Sequence, residues 1–247
     1  MINKIVNLGI SKIEAEELVK VSRNIEKDYK KLLDNYPIQY LIGYVNFYGN
    51  KILVDENVLI PRYETEYLVE KTINYSKKIF KNKINVLDLC TGSGAIAITL
   101  YKELNSYVDA SDISEKALNV AKNNANINKL DINFIKSDLF ENLKEKKYDI
   151  IISNPPYISY DEKIMESVYK YEPHLALFAE DNGLYFYKKI LNEAKNYLND
   201  KFIIAFEIGC TQGEVLYEYA NNLYFEAKIY LEKDLSNRNR YLFIINE

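Results

Sequence analysis

Three short stretches carry residues whose types and spacing could do chemistry. Val86-Leu87-Asp88-Leu89-Cys90-Thr91-Gly92-Ser93-Gly94 leads from an apolar strand pattern into a glycine turn that opens a helix. Gly92 and Gly94 let backbone approach a ligand closely, and a helix start offers unpaired N–H groups. The next apolar run ends in Asp112, 18 residues beyond Gly94. A carboxylate there can accept both hydroxyls of a ribose. The turn lacks the lysine of a triphosphate loop, so the two pieces point to a nucleoside-type cofactor, with dinucleotides still open. The third stretch is Ser153-Asn154-Pro155-Pro156-Tyr157, after a fourth strand pattern. Its prolines remove backbone donors and fix φ, and a bare Pro-Pro would mean no more than a rigid turn. The Asn154 side-chain oxygen and the Pro155 carbonyl, however, can both accept from one planar NH₂ group, and Tyr157 offers a flat face to stack on it. Such a set suits a substrate nitrogen of low basicity, an amide or an aromatic amine.

The elements that must position these residues follow from periodicity. From Ile84 onward strand and helix alternate, with strands expected at 84–90, 106–112, 132–137, 148–153, 201–208, 224–231 and 241–245. Helices are expected at 94–104, 114–127, 182–198 and 212–222. The alternation predicts a mostly parallel sheet covered on both faces. The last two strands are joined without room for a helix and should pair antiparallel. Open α/β sheets bind ligands beyond the carboxyl ends of their strands, which is where 88–94, 112, 137–139, 153–157 and 207–210 fall. Upstream, Gly9 ends a short helix, Ser11-Lys12-Ile13-Glu14 is a capping box, and Leu18, Val21, Ile25, Tyr29, Leu32, Leu33 and Tyr36 recur at helical spacing. Pro37 stops that pattern. The chain therefore divides into a helical module (1–36), a hairpin connector (37–62) and an α/β domain (63–247), with a helix from about Thr65 to Phe80.

Composition narrows the classes further. Lys+Arg 32 against Asp+Glu 36 gives a net charge of −4, which argues against a broad basic face gripping phosphates. No apolar run approaches the roughly 20 residues of a membrane span, and no signal-peptide core is evident. Cys90 and Cys210 cannot build a disulfide framework, and His174, the single histidine, cannot build a histidine metal site. No metal is expected, and a reduced, cytoplasmic setting is. His174 reads as a surface or packing residue, Cys210 as a buried thiol.

The glycine turn, the acidic residue after the second strand and Asn154-Pro155-Pro156-Tyr157 together resemble class I S-adenosylmethionine-dependent methyltransferases acting on planar amino groups. Pro37-Ile38-Gln39-Tyr40-Leu41-Ile42-Gly43 and Leu59-Ile60-Pro61-Arg62-Tyr63-Glu64-Thr65-Glu66 resemble the connector of the HemK/PrmC family, the glutamine-N5 methyltransferases of peptide-chain release factors. Ser111 to Ser114, Tyr171-Glu172-Pro173, Glu207-Ile208-Gly209 with Gln212, and Lys233-Asp234-Leu235 are similar to that family too, so the likeness runs from about residue 37 to the C-terminus. It implies a Rossmann-like, seven-stranded sheet with an antiparallel last strand, S-adenosylmethionine as donor and S-adenosylhomocysteine as product. The expected partner is a class I release factor, met by a monomer. By position, Asp88, Cys90, Thr91, Gly92, Ser93, Gly94, Asp112, Ile113, Asp138, Leu139 and Asn154 should hold the cofactor, with Ser137 bordering the adenine. Asn154, Pro155, Pro156, Tyr157 and Arg62 should hold the glutamine, with Asn154, Pro155 and Tyr157 as the catalytic set.

Glu64 reads equally as a first-turn helix charge or a cofactor contact. Cys90 stands where the family usually has glycine, and a positive φ there would cost about 1–2 kcal/mol. The helical module is shorter than the family's usual bundle, which leaves partner docking open. Two rival functions stay in view: methylation of exocyclic amino groups in nucleic acid, and a catalytically silent cofactor-binding subunit.

Overall fold

The computed structural model describes residues 1–247. Four short helices come first, α1 (Ile2–Val6), α2 (Lys12–Val21), α3 (Ile25–Leu33) and α4 (Ile38–Ile42), then a hairpin of β1 (Tyr44–Phe47) and β2 (Asn50–Leu53). Ser11 caps α2 by accepting from the Glu14 N–H at 3.2 Å, but the Glu14 carboxylate takes the serine hydroxyl at 2.6 Å instead of its backbone N–H. Half of the expected capping box forms. Pro37 does not end the helical region either. It sits at the N-cap of α4, its carbonyl accepting from the Tyr40 N–H at 3.2 Å. Ile38 then packs with Ile5, Ala15, Leu18 and Leu32, so α4 joins the first three helices and the hairpin begins only at Tyr44. Gly43, at φ 82°, makes the left-handed turn between the two.

The remaining elements are α5 (Tyr63–Ile79), β3 (Ile84–Leu89), α6 (Ala95–Glu103), β4 (Ser106–Asp112), α7 (Glu115–Asn128), β5 (Asn133–Lys136) and β6 (Tyr148–Ser153). They continue with α8 (Glu166–Tyr171), α9 (Tyr185–Ala194), β7 (Leu198–Glu207), α10 (Gly213–Leu223), β8 (Lys228–Lys233) and β9 (Asn239–Asn246). Seven strands form one sheet in the order β5-β4-β3-β6-β7-β9-β8, parallel except for β9, which pairs antiparallel with both β7 and β8.

Alternation along each central strand divides the core in two. Val86, Ile150, Ile152, Ile203 and Ala205 face the side covered by α5, α6 and α7. Leu87, Leu89, Ile151, Ile204 and Phe206 face the side covered by α9 and α10. Burial on both faces is why these strands read as continuous Val/Ile/Leu runs. The helix expected over 182–198 is regular only from Tyr185 to Ala194, with single 3₁₀ turns at either end. Between β6 and α9 lies an insertion holding α8, for which periodicity predicts nothing. A strand bridge between Ile158 and Phe178 closes the insertion on itself, and Lys170 and Tyr171 fasten it to Asp34.

Candidate active site

The carboxyl ends of β3, β4, β5 and β6 meet where strand order reverses, and a cavity of about 260 Å³ opens there. One wall is the turn after β3. Its backbone is left-handed at Cys90 (φ 59°), Gly92 (φ 54°) and Gly94 (φ 79°). Gly94 does not line the cavity; a Cβ there would meet the Ala121 Cβ at 3.1 Å, so its role is close packing of α6 on α7. Cys90 lines the cavity despite its strained φ. Burial pushes its thiol well above the ordinary range, which keeps it protonated.

Asp112, at the end of β4, accepts from the Gly92 N–H at 2.9 Å on one oxygen and from the Ser114 N–H at 2.8 Å on the other. Each oxygen keeps a lone pair for the cavity, which Asp112 also lines. Burial raises its pKa against the pull of these N–H donors. Asp88 lies behind the turn, not in the wall. Fully buried, it accepts from the Thr91 hydroxyl at 2.6 Å and the Ala97 N–H at 3.2 Å, while its other oxygen has no partner. Burial pushes its pKa up to about 7. Asp88, expected to contact the cofactor, is placed as a brace under the loop, with one oxygen left unpartnered. Thr91, Gly92, Ser93, Ile113, Ser137, Asp138 and Leu139 all line the cavity, with Leu139 buried and Asp138 ion-paired to Lys189 at 3.4 Å.

Asn154 and Pro156 form the wall after β6, but Pro155 and Tyr157 do not line the cavity. The tyrosine ring packs instead against the core beneath α9 and α10, and its hydroxyl lies 3.4 Å from a Glu207 carboxylate oxygen. A tyrosine that buries its ring and still finds an acceptor gains more than one held in an open wall. The loop is pinned from outside by Gln212, whose amide donates to the Tyr157 carbonyl at 2.8 Å and accepts from the Gly209 N–H at 2.9 Å. Gly183 belongs to this fastening, since a Cβ there would lie 2.0 Å from the same carbonyl.

Two residues quoted for their motifs take up specific work here. Thr65, in the first turn of α5, donates to Glu207 at 2.6 Å and stands 3.3 Å from the Asn154 amide nitrogen. Glu172, almost fully buried, receives the Arg62 guanidinium and accepts from the Ile60 N–H at 3.2 Å. Arg62 does line the cavity, but this pairing spends its charge on tying the connector to the insertion. Glu64 adopts the helix reading: it lies in the first turn of α5, and its backbone carbonyl accepts from the Tyr241 hydroxyl at 3.0 Å. The remaining roof comes from the connector (Asn57, Val58, Leu59, Pro61) and the insertion (Pro173, Leu175, Ala176), none of which sequence patterns single out as contacts. Cys210 is exposed, not buried. No group of side chains is arranged to hold a metal ion, and no helix is long and apolar enough to cross a membrane.

A seven-stranded sheet of this order, with its cavity at the strand ends, defines a class I methyltransferase fold, and residues 66–170 match the family model described as "Methyltransferase small domain". A methyltransferase from Pyrococcus furiosus shares that fold at TM-score 0.59 and 18% identity, over 81% of this chain and 90% of that one. The release factor glutamine methyltransferase of Lactococcus lactis is 40% identical over 242 residues, 97% of this chain and 87% of that protein. That of Bacillus subtilis is 38% identical over 92% of this chain and 80% of its own length. The chain belongs to the release factor glutamine methyltransferase family.

Proposed function

We propose that this protein transfers the methyl group of S-adenosylmethionine to the side-chain amide nitrogen (N5) of a glutamine, the one in the Gly-Gly-Gln loop of class I peptide-chain release factors. The observation that carries the reading is that Asn154, after β6, and Asp112, after β4, line one cavity with a glycine turn between them. The lining fits the donor. Asp112 has an acceptor site free on each oxygen for a ribose diol, Leu139 and Ile113 supply apolar surface for an adenine, and Asp138 stands at its edge.

When bound, S-adenosylmethionine supplies a sulfonium methyl: the amide lone pair forms the C–N bond, the C–S pair stays on sulfur, and S-adenosylhomocysteine remains. An amide nitrogen is a poor nucleophile, so the protein's task is to hold it in line, which is catalysis by positioning. Asn154 Oδ1 accepts from the substrate NH₂, and this bond strengthens as positive charge grows on nitrogen. Asp112 serves the loop and the ribose, Asp138 pairs with Lys189, and the surplus proton leaves to solvent.

A release factor is met in the cytoplasm. The net charge of −4 and the family relationship weigh against nucleic acid as the acceptor, and the retained Asn154 and Asp112 weigh against a silent subunit. The test is Asn154→Ala with a release factor as substrate: kcat should fall about 10²–10³-fold while cofactor affinity stays at the wild-type value. An equal loss of rate and cofactor binding would refute this division of roles.

A further inference from the structure

Asn154 can hold a substrate NH₂ only if its carboxamide presents oxygen, not nitrogen, and nothing in the side chain's own shape decides between the two. The decision lies one residue back. Thr65 Oγ1 donates at 2.6 Å to a carboxylate oxygen of Glu207; burial raises the pKa of that carboxyl, the Thr65 bond and the Arg240 charge favour its ionised form, and an ionised carboxylate only accepts. The hydroxyl has one proton, and Glu207 takes it. Toward Asn154, 3.3 Å away, Thr65 can therefore only accept, so the atom it meets must be the amide nitrogen. The carboxamide oxygen is left for the cavity, where Asn154 has no other side-chain hydrogen bond.

Glu207 is itself held in place. It is buried, with Tyr157 as a second hydroxyl neighbour at 3.4 Å, and its backbone carbonyl accepts from the Tyr187 hydroxyl at 2.7 Å. Thr65 is likewise buried, in the first turn of α5. The three residues come from α5, the β6 loop and the end of β7, so the alignment belongs to the fold and to no single motif.

We propose that Thr65 is a positioning residue that fixes the orientation of the Asn154 carboxamide, with Glu207 as the anchor that sets the direction of the hydroxyl's proton. The inference rests on the function proposed above. It implies that the site recognises a hydrogen-bond-donating NH₂ and discriminates against an acceptor of the same shape, such as the carboxylate of a glutamate in place of the glutamine.

The test compares Thr65→Val, which keeps the shape and removes the hydroxyl, with Thr65→Ser, which keeps the hydroxyl. With a release factor as substrate, Thr65→Val should lose about 10²-fold in kcat, with cofactor affinity unchanged, and Thr65→Ser should recover most of it. In an Asn154→Ala background Thr65→Val should cost nothing further. A Thr65→Val enzyme with wild-type kcat, a serine variant as impaired as valine, or additive losses in the double variant would overturn the proposal. Failure of the wild-type protein to methylate the factor would instead count against the proposed function. A substrate-free readout then still decides the relay. The ¹⁵N-labelled side-chain amide of Asn154 should show one slowly exchanging proton in wild type and Thr65→Ser, and two fast ones in Thr65→Val. An exchange pattern indifferent to residue 65 would refute the relay.

Discussion

Replacing Asp112 by asparagine tests how the cofactor loop and the cofactor share one carboxylate. The Gly92 and Ser114 N–H groups approach different oxygens, at 2.9 and 2.8 Å. Asparagine offers one oxygen and one NH₂, so whichever way it turns, a donor faces a donor. Hydrogen bonds to a charged group contribute about 1.5–3 kcal/mol each, so one loop bond is lost at about 2 kcal/mol. The ribose contact, reduced from a charged to a neutral acceptor, weakens by about 1 kcal/mol more. The loop bond is made with and without cofactor, so its loss shows in stability, while the ribose contact alone predicts a Kd for S-adenosylhomocysteine raised about fivefold. Titration calorimetry near neutral pH measures it, with urea unfolding alongside to separate loop disorder from global loss. Burial raises the Asp112 pKa, so wild-type affinity should also start to fall on acidification above the ordinary carboxylate range, a fall that Asp112→Asn lacks. A Kd changed by less than about threefold would refute the reasoning and leave Asp112 as a brace alone.

Asp88, whose pKa is raised to about 7, gives a linkage prediction with a definite sign. Its contribution to stability is present below the unfolded carboxylate pKa and lost as pH rises through 7, so the stability of wild type relative to Asp88→Asn should fall by at most about 4 kcal/mol between pH about 4 and 7. Urea unfolding across that range checks it, and a pH-independent difference would contradict it. At Cys90, φ 59° costs about 1–2 kcal/mol for a side chain, against about 0.5–1 kcal/mol of added chain entropy for glycine, so Cys90→Gly should stabilise by at most about 1.5 kcal/mol. Cys90→Val, β-branched at the same φ, should destabilise by about 1–3 kcal/mol, read from thermal unfolding.

Much of this molecule was legible because its signals are local. Apolar runs buried on both faces marked the strands of the sheet to within a few residues, and the glycine turn, Asp112, Leu139 and Asn154 lie where strand ends predict. What escaped has partners far off in sequence. Thr65 meets Asn154 across 89 residues, and Arg62 meets Glu172 across 110, so neither role leaves a local pattern. Helix α4 is five residues long, too short for periodicity, and its leading proline reads equally as a stop or an N-terminus. Tyr157 shows a further limit: its place after β6 was plain, but which way its ring turns depends on Glu207, 50 residues on.

The central claim is the acceptor atom. Incubating the protein with S-adenosylmethionine and a class I release factor, then sequencing the digested factor by tandem mass spectrometry, locates the methyl group directly. The account predicts a single methyl on the side-chain amide nitrogen of the Gly-Gly-Gln glutamine, absent when that glutamine is replaced by alanine. A methyl on any other residue, or methyl transfer to RNA or DNA with none to the factor, would contradict it.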